Sequence, residues 1–391
     1  MAFRVAKRID DLPNYPFVQI SAKVNELQAQ GKDIIRLDMG SPDLPPPQAV
    51  REHMAKMVMA DNTHGYTGYR GVPEFRKAVA KYYKQLFDVD LNPNTEVLPL
   101  IGSKEGLVNM TLAVAGEGDV VLVPSLSYPA YAMGARLADA DIFELPLTEE
   151  NNYIADLSII PADIAERARI LWMNYPHNPT GVIASIDDYA KAVAFCRQHN
   201  ILLASDNPYF HVTFDGDAPV SALQVPGAKD WTVEFMSLSK SHNMAGWRLG
   251  ACVGKAEAIA ALLQVKSNMD SGHFLPAYQA GVLALETTSD EWIAERNDRY
   301  RCRRDMVVEA LPRMGLTMRT MPKGALYLWA SVDEGNDLDY CQGALEQAYV
   351  SIVPGSIYGD SGKGYVRVGL TTDEDRLAEA LRRLIEWKEQ N

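Results

Sequence analysis

Three short apolar stretches decide the fold: Ile170-Leu-Trp-Met173, Ile201-Leu-Leu-Ala-Ser205 and Glu234-Phe-Met-Ser237. Each is largely apolar along its length and does not alternate between apolar and polar residues, which is the pattern of strands buried on both faces of a sheet. Helical patterns lie between them, and Ser185 with Asp188 forms a capping pair at the start of one. The sequence therefore predicts an α/β fold whose sheet is mostly parallel and is flanked by helices.

The chain outside these strands predicts two domains. Further buried strands are expected at 120–123 and 249–253, and Leu44-Pro45-Pro46-Pro47 interrupts the regular structure before them. After about residue 285 the pattern changes to a long charged helix at 290–311, isolated strands and a final amphipathic helix. We therefore expect a large domain over residues 45–285 and a smaller α+β domain built from residues 1–44 and 286–391.

The overall composition narrows the class of partner. The chain has 391 residues and a net charge of −13, which gives little electrostatic support for binding nucleic acid. No apolar stretch approaches the length of a membrane span, and the first residues do not form the apolar core of a signal peptide. The four cysteines are widely spaced, and the histidines show no metal-ligand spacing. We expect a cytoplasmic protein with no metal site and no nucleic-acid or membrane partner.

Polar residues follow three of the predicted strands directly, at 174–178, 206–209 and 237–240. In open α/β sheets, ligands bind beyond the carboxyl ends of the strands, so these segments are expected to surround one site. Lys240 follows its strand among small hydroxyl residues, and Arg248 comes eight residues later. A lysine with a lowered pKa forms imines and an arginine fork binds phosphate, so the pair suits a phosphorylated aldehyde. The alternative is a lysine that simply emerges into a solvated loop.

Two other segments fit the same ligand. Asp206 ends a strongly apolar run and is costly to bury without a cation, such as a protonated pyridine nitrogen, although a turn or capping aspartate is a common alternative. The hydroxyl of Tyr209 could lie near the same ring. Residues 102–106 (Gly-Ser-Lys-Glu-Gly) open an apolar helix whose free backbone N–H groups could bind phosphate, although Gly-Ser is also an ordinary helix start.

With these motifs the chain resembles the class I/II aminotransferases of pyridoxal-phosphate (PLP) fold type I. The motifs occur in the family's order: Asn174-Tyr-Pro-His-Asn178-Pro-Thr-Gly181, Asp206-Asn-Pro-Tyr209, Ser237-Leu-Ser-Lys240 with Arg248, and Tyr365-Val-Arg367-Val-Gly369. Short sequence segments, such as Leu37-Asp-Met-Gly-Ser-Pro-Asp-Leu44, are similar to those of the LL-diaminopimelate aminotransferase subgroup. The resemblance covers nearly the whole chain.

The resemblance implies that pyridoxal 5'-phosphate is the cofactor and that Lys240 carries it as a Schiff base. Asp206 then matches the acid that holds the pyridine nitrogen. Asn178 and Tyr209 match the residues that bind the ring's phenolic oxygen, and Tyr128 matches an aromatic residue against the ring face. The catalytic residues implied are Lys240, Asp206 and Tyr209.

The same resemblance assigns the phosphate and the substrate. The residues that match the phosphate site are Ser103 and Lys104, largely through backbone N–H groups, with Ser237 and Arg248. Arg367, with Asn178 and Gly40, matches the site of the substrate α-carboxylate. Tyr66 matches a tyrosine that reaches the neighbouring subunit's phosphate, which implies a homodimer. Lys104, Asn268 or residues of the partner subunit are candidates for the far end of the substrate.

The function implied is a PLP-dependent aminotransferase that moves an amino group between an L-amino acid and a 2-oxo acid. LL-diaminopimelate, alanine, aspartate or an aromatic amino acid could be the substrate. One alternative is a PLP-dependent C–S β-lyase, which would share every cofactor-binding residue. A second is a non-catalytic PLP-binding regulator, a class that usually carries a basic DNA-binding domain, for which the sequence gives no sign.

Overall fold

The computed structural model describes residues 3–6, 9, 12–13 and 16–390, which form a seven-stranded, a four-stranded and a two-stranded sheet with helices around them. The strands are β1 (Ile35–Arg36), β2 (Val97–Leu100), β3 (Val120–Pro124), β4 (Asp141–Leu145), β5 (Ala168–Asn174), β6 (Leu202–Asp206), β7 (Thr232–Ser237), β8 (Gly250–Gly254), β9 (Leu316–Thr317), β10 (Tyr327–Val332), β11 (Val350–Ser351), β12 (Val353–Pro354) and β13 (Tyr365–Gly369).

The helices of the described chain are α1 (Pro16–Ala29), α2 (Gln48–Val58), α3 (Pro73–Phe87), α4 (Ser103–Val114), α5 (Ala130–Leu137), α6 (Ala162–Arg167), α7 (Ile186–His199), α8 (Leu238–Ser241), α9 (Ala256–Lys266), α10 (Leu275–Thr287), α11 (Asp290–Ala310), α12 (Asp337–Glu346) and α13 (Glu374–Gln390). The expected capping pair is present: Ser185 and Asp188 form a reciprocal capping box at the start of α7. No helix within the described ranges is both long and apolar enough to cross a membrane.

The large sheet has seven strands in the order β2-β8-β7-β6-β5-β3-β4. Strands β7, β6, β5, β3 and β4 pair in parallel, and β8 is antiparallel to both of its neighbours. The prediction of a mostly parallel sheet is therefore confirmed, and all five predicted strands belong to it. Helices α4 and α9, and α4 and α5, pack side by side along it.

The two strands that the sequence pattern missed lie at the edges of this sheet. Strand β4 has exposed and half-buried residues, so it lacks the continuous apolar pattern of a central strand. Strand β2 contains Pro99, which cannot donate a ladder hydrogen bond and is normal only at an edge. Edge position therefore explains both omissions.

The second sheet is antiparallel, in the order β12-β13-β10-β9, and is built from the C-terminal third of the chain. Its core includes residues of α11 and α13, such as Tyr300, Val307, Leu377 and Leu384. The N-terminal segment packs beside it: β1 and β11 form a separate parallel pair, Ile35 belongs to the same core cluster, and Val24 of α1 packs with Leu345 of α12. Both ends of the described chain therefore contribute to one unit beside the large sheet.

Candidate active site

The site lies where three neighbouring parallel strands end. Asn174, Asp206 and Ser237 are the last residues of β5, β6 and β7, so the carboxyl ends of the strands present these side chains together. A cavity of about 420 Å³ opens there. Its lining contains most of the residues predicted from the sequence: Gly40, Ser103, Lys104, Tyr128, Asn178, Asp206, Tyr209, Ser237, Lys240, Arg248 and Arg367.

Lys240 lies in the short helix α8, which begins directly after β7. Its Nζ donates a hydrogen bond to the backbone oxygen of Gly40. Burial, with the positive charges of Arg367 and Arg248, lowers the pKa of Lys240 to about 8. Roughly a tenth of the amine is therefore neutral at pH 7, far more than in an ordinary lysine, and the neutral amine is the form that attacks a carbonyl group.

Asp206 is a buried carboxylate with one oxygen in use and one without a partner. Its Oδ2 accepts a 2.7 Å hydrogen bond from the hydroxyl of Tyr131, whereas Oδ1 has no hydrogen-bond partner among the described residues. Burial raises the pKa of Asp206 to about 7, although the bond from Tyr131 opposes this rise. A buried acceptor without a donor is costly, so this oxygen is suited to a ligand N–H group.

The end of the cavity near α4 is suited to an anion. Helix α4 begins at Ser103 after Gly102, whose φ of +71° favours glycine, and no side chain caps this terminus. An added Cβ at Gly102 would lie 2.2 Å from Nη2 of Arg248, so the guanidinium lies directly against the start of the helix. Backbone N–H groups at a helix N-terminus beside an arginine form a phosphate site, and the hydroxyl of Ser237 borders the same cavity.

Arg367 lies on β13 of the second sheet, lines the same cavity and is buried. Its Nη1 donates to Oδ1 of Asn178 (3.1 Å) and its Nη2 to the backbone oxygen of Asp38 (2.8 Å), while Nε has no hydrogen-bond partner among the described residues. Its guanidinium lies 4.0 Å from the ring centroid of Tyr327. The arginine is therefore held in place and still has donor capacity for a carboxylate.

A family comparison agrees with this geometry. The sequence profile described as Aminotransferase class I and II matches residues 32–384. An LL-diaminopimelate aminotransferase of Dehalococcoides mccartyi is 43% identical over 389 residues, which cover 99% of this chain and 100% of that protein. The chain belongs to the class I and II aminotransferase family.

Solved structures extend the likeness to the whole fold. The substrate-bound BacF structure from Bacillus subtilis matches with a TM-score of 0.93 and 35% identity, over 99% of this chain and 98% of that one. The aspartate aminotransferase of Rhizobium meliloti matches with a TM-score of 0.92 and 28% identity, over 99% of each chain. This aminotransferase therefore has the PLP fold type I architecture and moves amino groups with pyridoxal phosphate as its cofactor. The β-lyase and regulator alternatives are not favoured.

The residues of this aminotransferase fit that cofactor. Pyridoxal phosphate presents an aldehyde, a ring N–H and a phosphate. The cavity offers the amine of Lys240, the unpartnered oxygen of Asp206, and the α4 terminus with Arg248. Each group of the cofactor thus has a chemically matched partner in a single cavity.

Two predicted residues lie outside the cavity of their own chain. Tyr66 is 93% exposed and Asn268 is also exposed, with its Nδ2 donating to the backbone oxygen of Gln264. Neither contributes to the site within one chain. The role predicted for Tyr66 involves a second subunit, whereas Asn268, a candidate for the far end of the substrate, does not line the cavity of its own chain.

Four residues of the aminotransferase site were missed by the sequence reasoning. Tyr131 bonds to Asp206, and the hydroxyl of Tyr327 lies 2.9 Å from that of Tyr209. Arg36 forms a two-pronged ion pair with Asp38 on the cavity wall, at 3.0 and 2.5 Å. Tyr131 follows Tyr128 by three residues, a helical spacing that could have found it, whereas the other three depend on pairing between distant segments.

Proposed function

We propose that this aminotransferase binds pyridoxal phosphate through Lys240 and Asp206 and that LL-diaminopimelate, or a close analogue, is its amino donor. One observation carries the proposal. A lysine whose pKa is lowered and a buried carboxylate with an unpartnered oxygen line the same cavity, together with an anion site and Arg367.

The cofactor roles follow from chemistry. When bound, pyridoxal phosphate supplies a ring that accepts electrons from the substrate Cα. Asp206 keeps the ring nitrogen protonated, which favours that acceptance most in the transition state. Tyr209 and Asn178 would bind the ring oxygen, and Tyr128 would pack against the ring face. The proposed phosphate ligands are Ser103, Lys104, Ser237 and Arg248.

Proton transfer is assigned to Lys240. With the cofactor bound, its amine would remove the proton from the substrate Cα as a general base. The lowered pKa of about 8 leaves enough neutral amine for this step near neutral pH. Burial that lowers the pKa also excludes water from the proton path.

The substrate carboxylate is assigned to Arg367. The contacts to Asn178 and to the backbone of Asp38 fix its orientation before the substrate arrives. Gly40 is needed here, because an added Cβ would lie 2.1 Å from the hydroxyl of Tyr327. The absence of a side chain at Gly40 therefore lets the N-terminal segment pass close to the carboxylate site.

The proposed donor rests on the relatives and on the cavity. The curated LL-diaminopimelate aminotransferases of Dehalococcoides mccartyi and Aquifex aeolicus match nearly end to end, at 43% and 42% identity. The far end of that donor carries an ammonium and a carboxylate. Lys104, on the cavity lining, is the proposed partner of the distal carboxylate within the chain. Asn268 would act only across a dimer.

A homodimer is proposed as the active assembly. Several apolar side chains are exposed on neighbouring segments of the single chain, and contiguous exposed patches of this kind mark interaction surfaces. They are Met59, Tyr66, Tyr69, Met269 and Phe274. The 64–69 loop contacts the 273–274 segment through a hydrogen bond from Thr67 to the backbone oxygen of His273. In the dimer, Tyr66 would reach the partner's phosphate site.

The division into domains and the cellular location are also proposals. A boundary near residue 45, with residues 45–285 as the large domain and 1–44 with 286–391 as the small one, is supported by the pairing of β1 with β11. All four cysteines are free thiols, which fits a reducing compartment such as the cytoplasm.

The decisive assay compares amino donors with 2-oxoglutarate and with pyruvate as acceptors. LL-diaminopimelate should give the highest kcat/KM, by at least about 100-fold over alanine, aspartate and phenylalanine, because polar groups built for the distal end are left unpaired by shorter donors. A better rate with one of those donors would refute the proposed substrate and leave the family assignment intact. The control is Lys240→Ala, which should be inactive with every donor.

A further inference from the structure

A buried arginine contacts the backbone of the lysine turn without lining the cofactor cavity. Arg296, in α11, is 3% exposed. Its Nη1 donates to the backbone oxygens of Lys240 (3.1 Å) and Ser241, and its Nη2 donates to the backbone oxygen of His211 at 2.5 Å. A single guanidinium therefore holds the backbone at the reactive lysine.

These contacts satisfy the end of α8. The helix has only four residues, Leu238–Ser241, so its last carbonyl groups have few partners within the helix. A cation at a helix C-terminus interacts favourably with such carbonyls. The hydroxyl of Ser241 also donates to the backbone oxygen of Ser237, at 2.9 Å. The turn that carries Lys240 is thus fixed from within by Ser241 and from outside by Arg296.

Arg296 is unusual for a buried arginine, because it has no ion-pair partner among the described residues. Its remaining donors go to the amide oxygen of Asn297. Burial lowers the pKa of Arg296 to about 10, so it stays charged near neutral pH. Burial and this charge lower the pKa of the adjacent His242 to about 3, which keeps that ring neutral. A buried cation without a carboxylate is costly, and an apolar side chain would avoid the cost.

Helix α11 extends from this contact into the C-terminal sheet. Tyr300, Val307 and Ala310 of α11 belong to the core cluster that also contains Val366 and Val368 of β13. Strand β13 carries Arg367. One continuous helix therefore connects the backbone of Lys240 to the sheet that carries Arg367, which lines the same cavity.

We propose that Arg296 is a positioning residue, which sets the place of the Lys240 turn relative to Arg367 by tying α8 to the helix that supports β13. The inference rests on the proposed role of Lys240. Misplacement of a reacting group by about 1 Å costs roughly 100-fold in rate, so a small shift of α8 is enough to matter.

The test compares two substitutions at Arg296 with a matched control on the same helix. Arg304 is also buried in α11, and it donates to Asp215 and to the backbone oxygen of Pro322, far from the lysine turn. Arg296→Met should lower kcat by about 100-fold with little change in KM for the amino donor. Arg296→Lys should recover part of kcat. Arg304→Met should lower Tm and leave kcat near that of the wild type.

A second readout does not depend on turnover. In the cofactor-free protein, the rate at which Lys240 is acylated is followed against pH by peptide mass spectrometry. Arg296→Met should shift the pH midpoint of that reaction, since the amine moves relative to Arg367 and Arg248, whereas Arg304→Met should not.

An unchanged midpoint in Arg296→Met, with a loss of kcat no larger than in Arg304→Met, would overturn the inference. If Arg296→Met does not fold, Arg296→Lys decides on the same two readouts. Activity that survives in Lys240→Ala would instead refute the proposed function, so the two failures are distinguishable.

Discussion

Two buried carboxylates on neighbouring strands differ in how completely they are bonded. Glu234 on β7 accepts from the hydroxyls of Tyr83 and Ser221 on Oε1, and from the hydroxyl of Ser205 and the backbone N–H of Ala222 on Oε2. Asp206 on β6 accepts only at Oδ2, from Tyr131, and Oδ1 has no partner in the described part of the chain.

The strand register explains why the two groups lie close and remain separate. Ser205 pairs with Glu234 across β6 and β7, and Asp206 is the next residue, so its side chain points to the other face of the sheet. Burial raises the pKa of both acids. The two acids differ in the number of hydrogen-bond donors that contact them. Both oxygens of Glu234 accept hydrogen bonds from the protein, whereas Oδ1 of Asp206 would gain a donor only from a ligand. Burial alone would not have identified the functional acid.

The largest effect is expected at Asp206, the carboxylate with an unpartnered oxygen. Asp206→Asn keeps the shape but cannot carry the charge that holds a protonated ring nitrogen, so kcat should fall by about 1,000-fold. The free energy of unfolding should not fall, because Oδ1 loses no protein partner. Single-turnover rates and chemical denaturation of the same samples measure both. A variant that is destabilised and still fast would reverse the assignment of the two acids.

The pH dependence of stability gives the next test, on the cofactor-free protein. Asp206 has a pKa of about 7 when folded and an ordinary value of 3.8, so the folded state holds this proton more tightly than the unfolded state. The stabilisation that comes from this tighter proton binding is fully present below about pH 4 and is lost as the pH rises to about 7. The free energy of unfolding of the wild type, measured relative to that of Asp206→Asn, should therefore fall by roughly 4 kcal/mol over that interval. A constant difference from pH 4 to 7 would contradict the raised pKa.

A smaller effect is expected at Glu234, the carboxylate whose two oxygens both accept hydrogen bonds from the protein. Glu234→Gln replaces one acceptor oxygen by a donor where four donors converge, so the free energy of unfolding should fall by about 2 kcal/mol. kcat should fall far less than in Asp206→Asn, since Glu234 does not line the cavity. Denaturant unfolding and steady-state rates are the measurements. A catalytic loss as large as that of Asp206→Asn would mean that the bonding pattern does not distinguish the two acids.

The smallest effect is expected when the single hydrogen bond from Tyr131 to Asp206 is removed. Tyr131→Phe removes the one protein donor to Asp206, and kcat should fall by about tenfold, because that bond favours the ionised acid. The pH midpoint of the rate should also move, as the pKa of Asp206 rises further. Wild-type kinetics in Tyr131→Phe would show that the bond does not influence the acid.

The sequence predicted the parts of the molecule that follow local rules. Strands β5, β6 and β7 were found because short, continuous apolar runs between helical patterns are typical of strands buried on both faces. Asp206 and Lys240 stood out because they follow such runs. Strands β2 and β4 lie at sheet edges, where β2 contains a proline and β4 has exposed residues. Their omission reflects position in the sheet.

The site was predicted only as far as its local motifs reach. Tyr327 and Arg36 lie on strands whose place beside the cavity depends on pairing between distant parts of the chain. The contact of Arg296 with the backbone of Lys240 spans 56 residues and ends on a carbonyl group, which leaves no trace in side-chain patterns. Contacts of this kind require a structure.

The most direct measurement is a map of the covalent link between cofactor and protein. The holoenzyme is reduced with borohydride and digested, and the peptides are analysed by mass spectrometry. The added mass should be on Lys240 alone, and Asp206→Asn should keep the link while shifting its absorbance. Label on another lysine, such as Lys104 in the same cavity, would contradict the account.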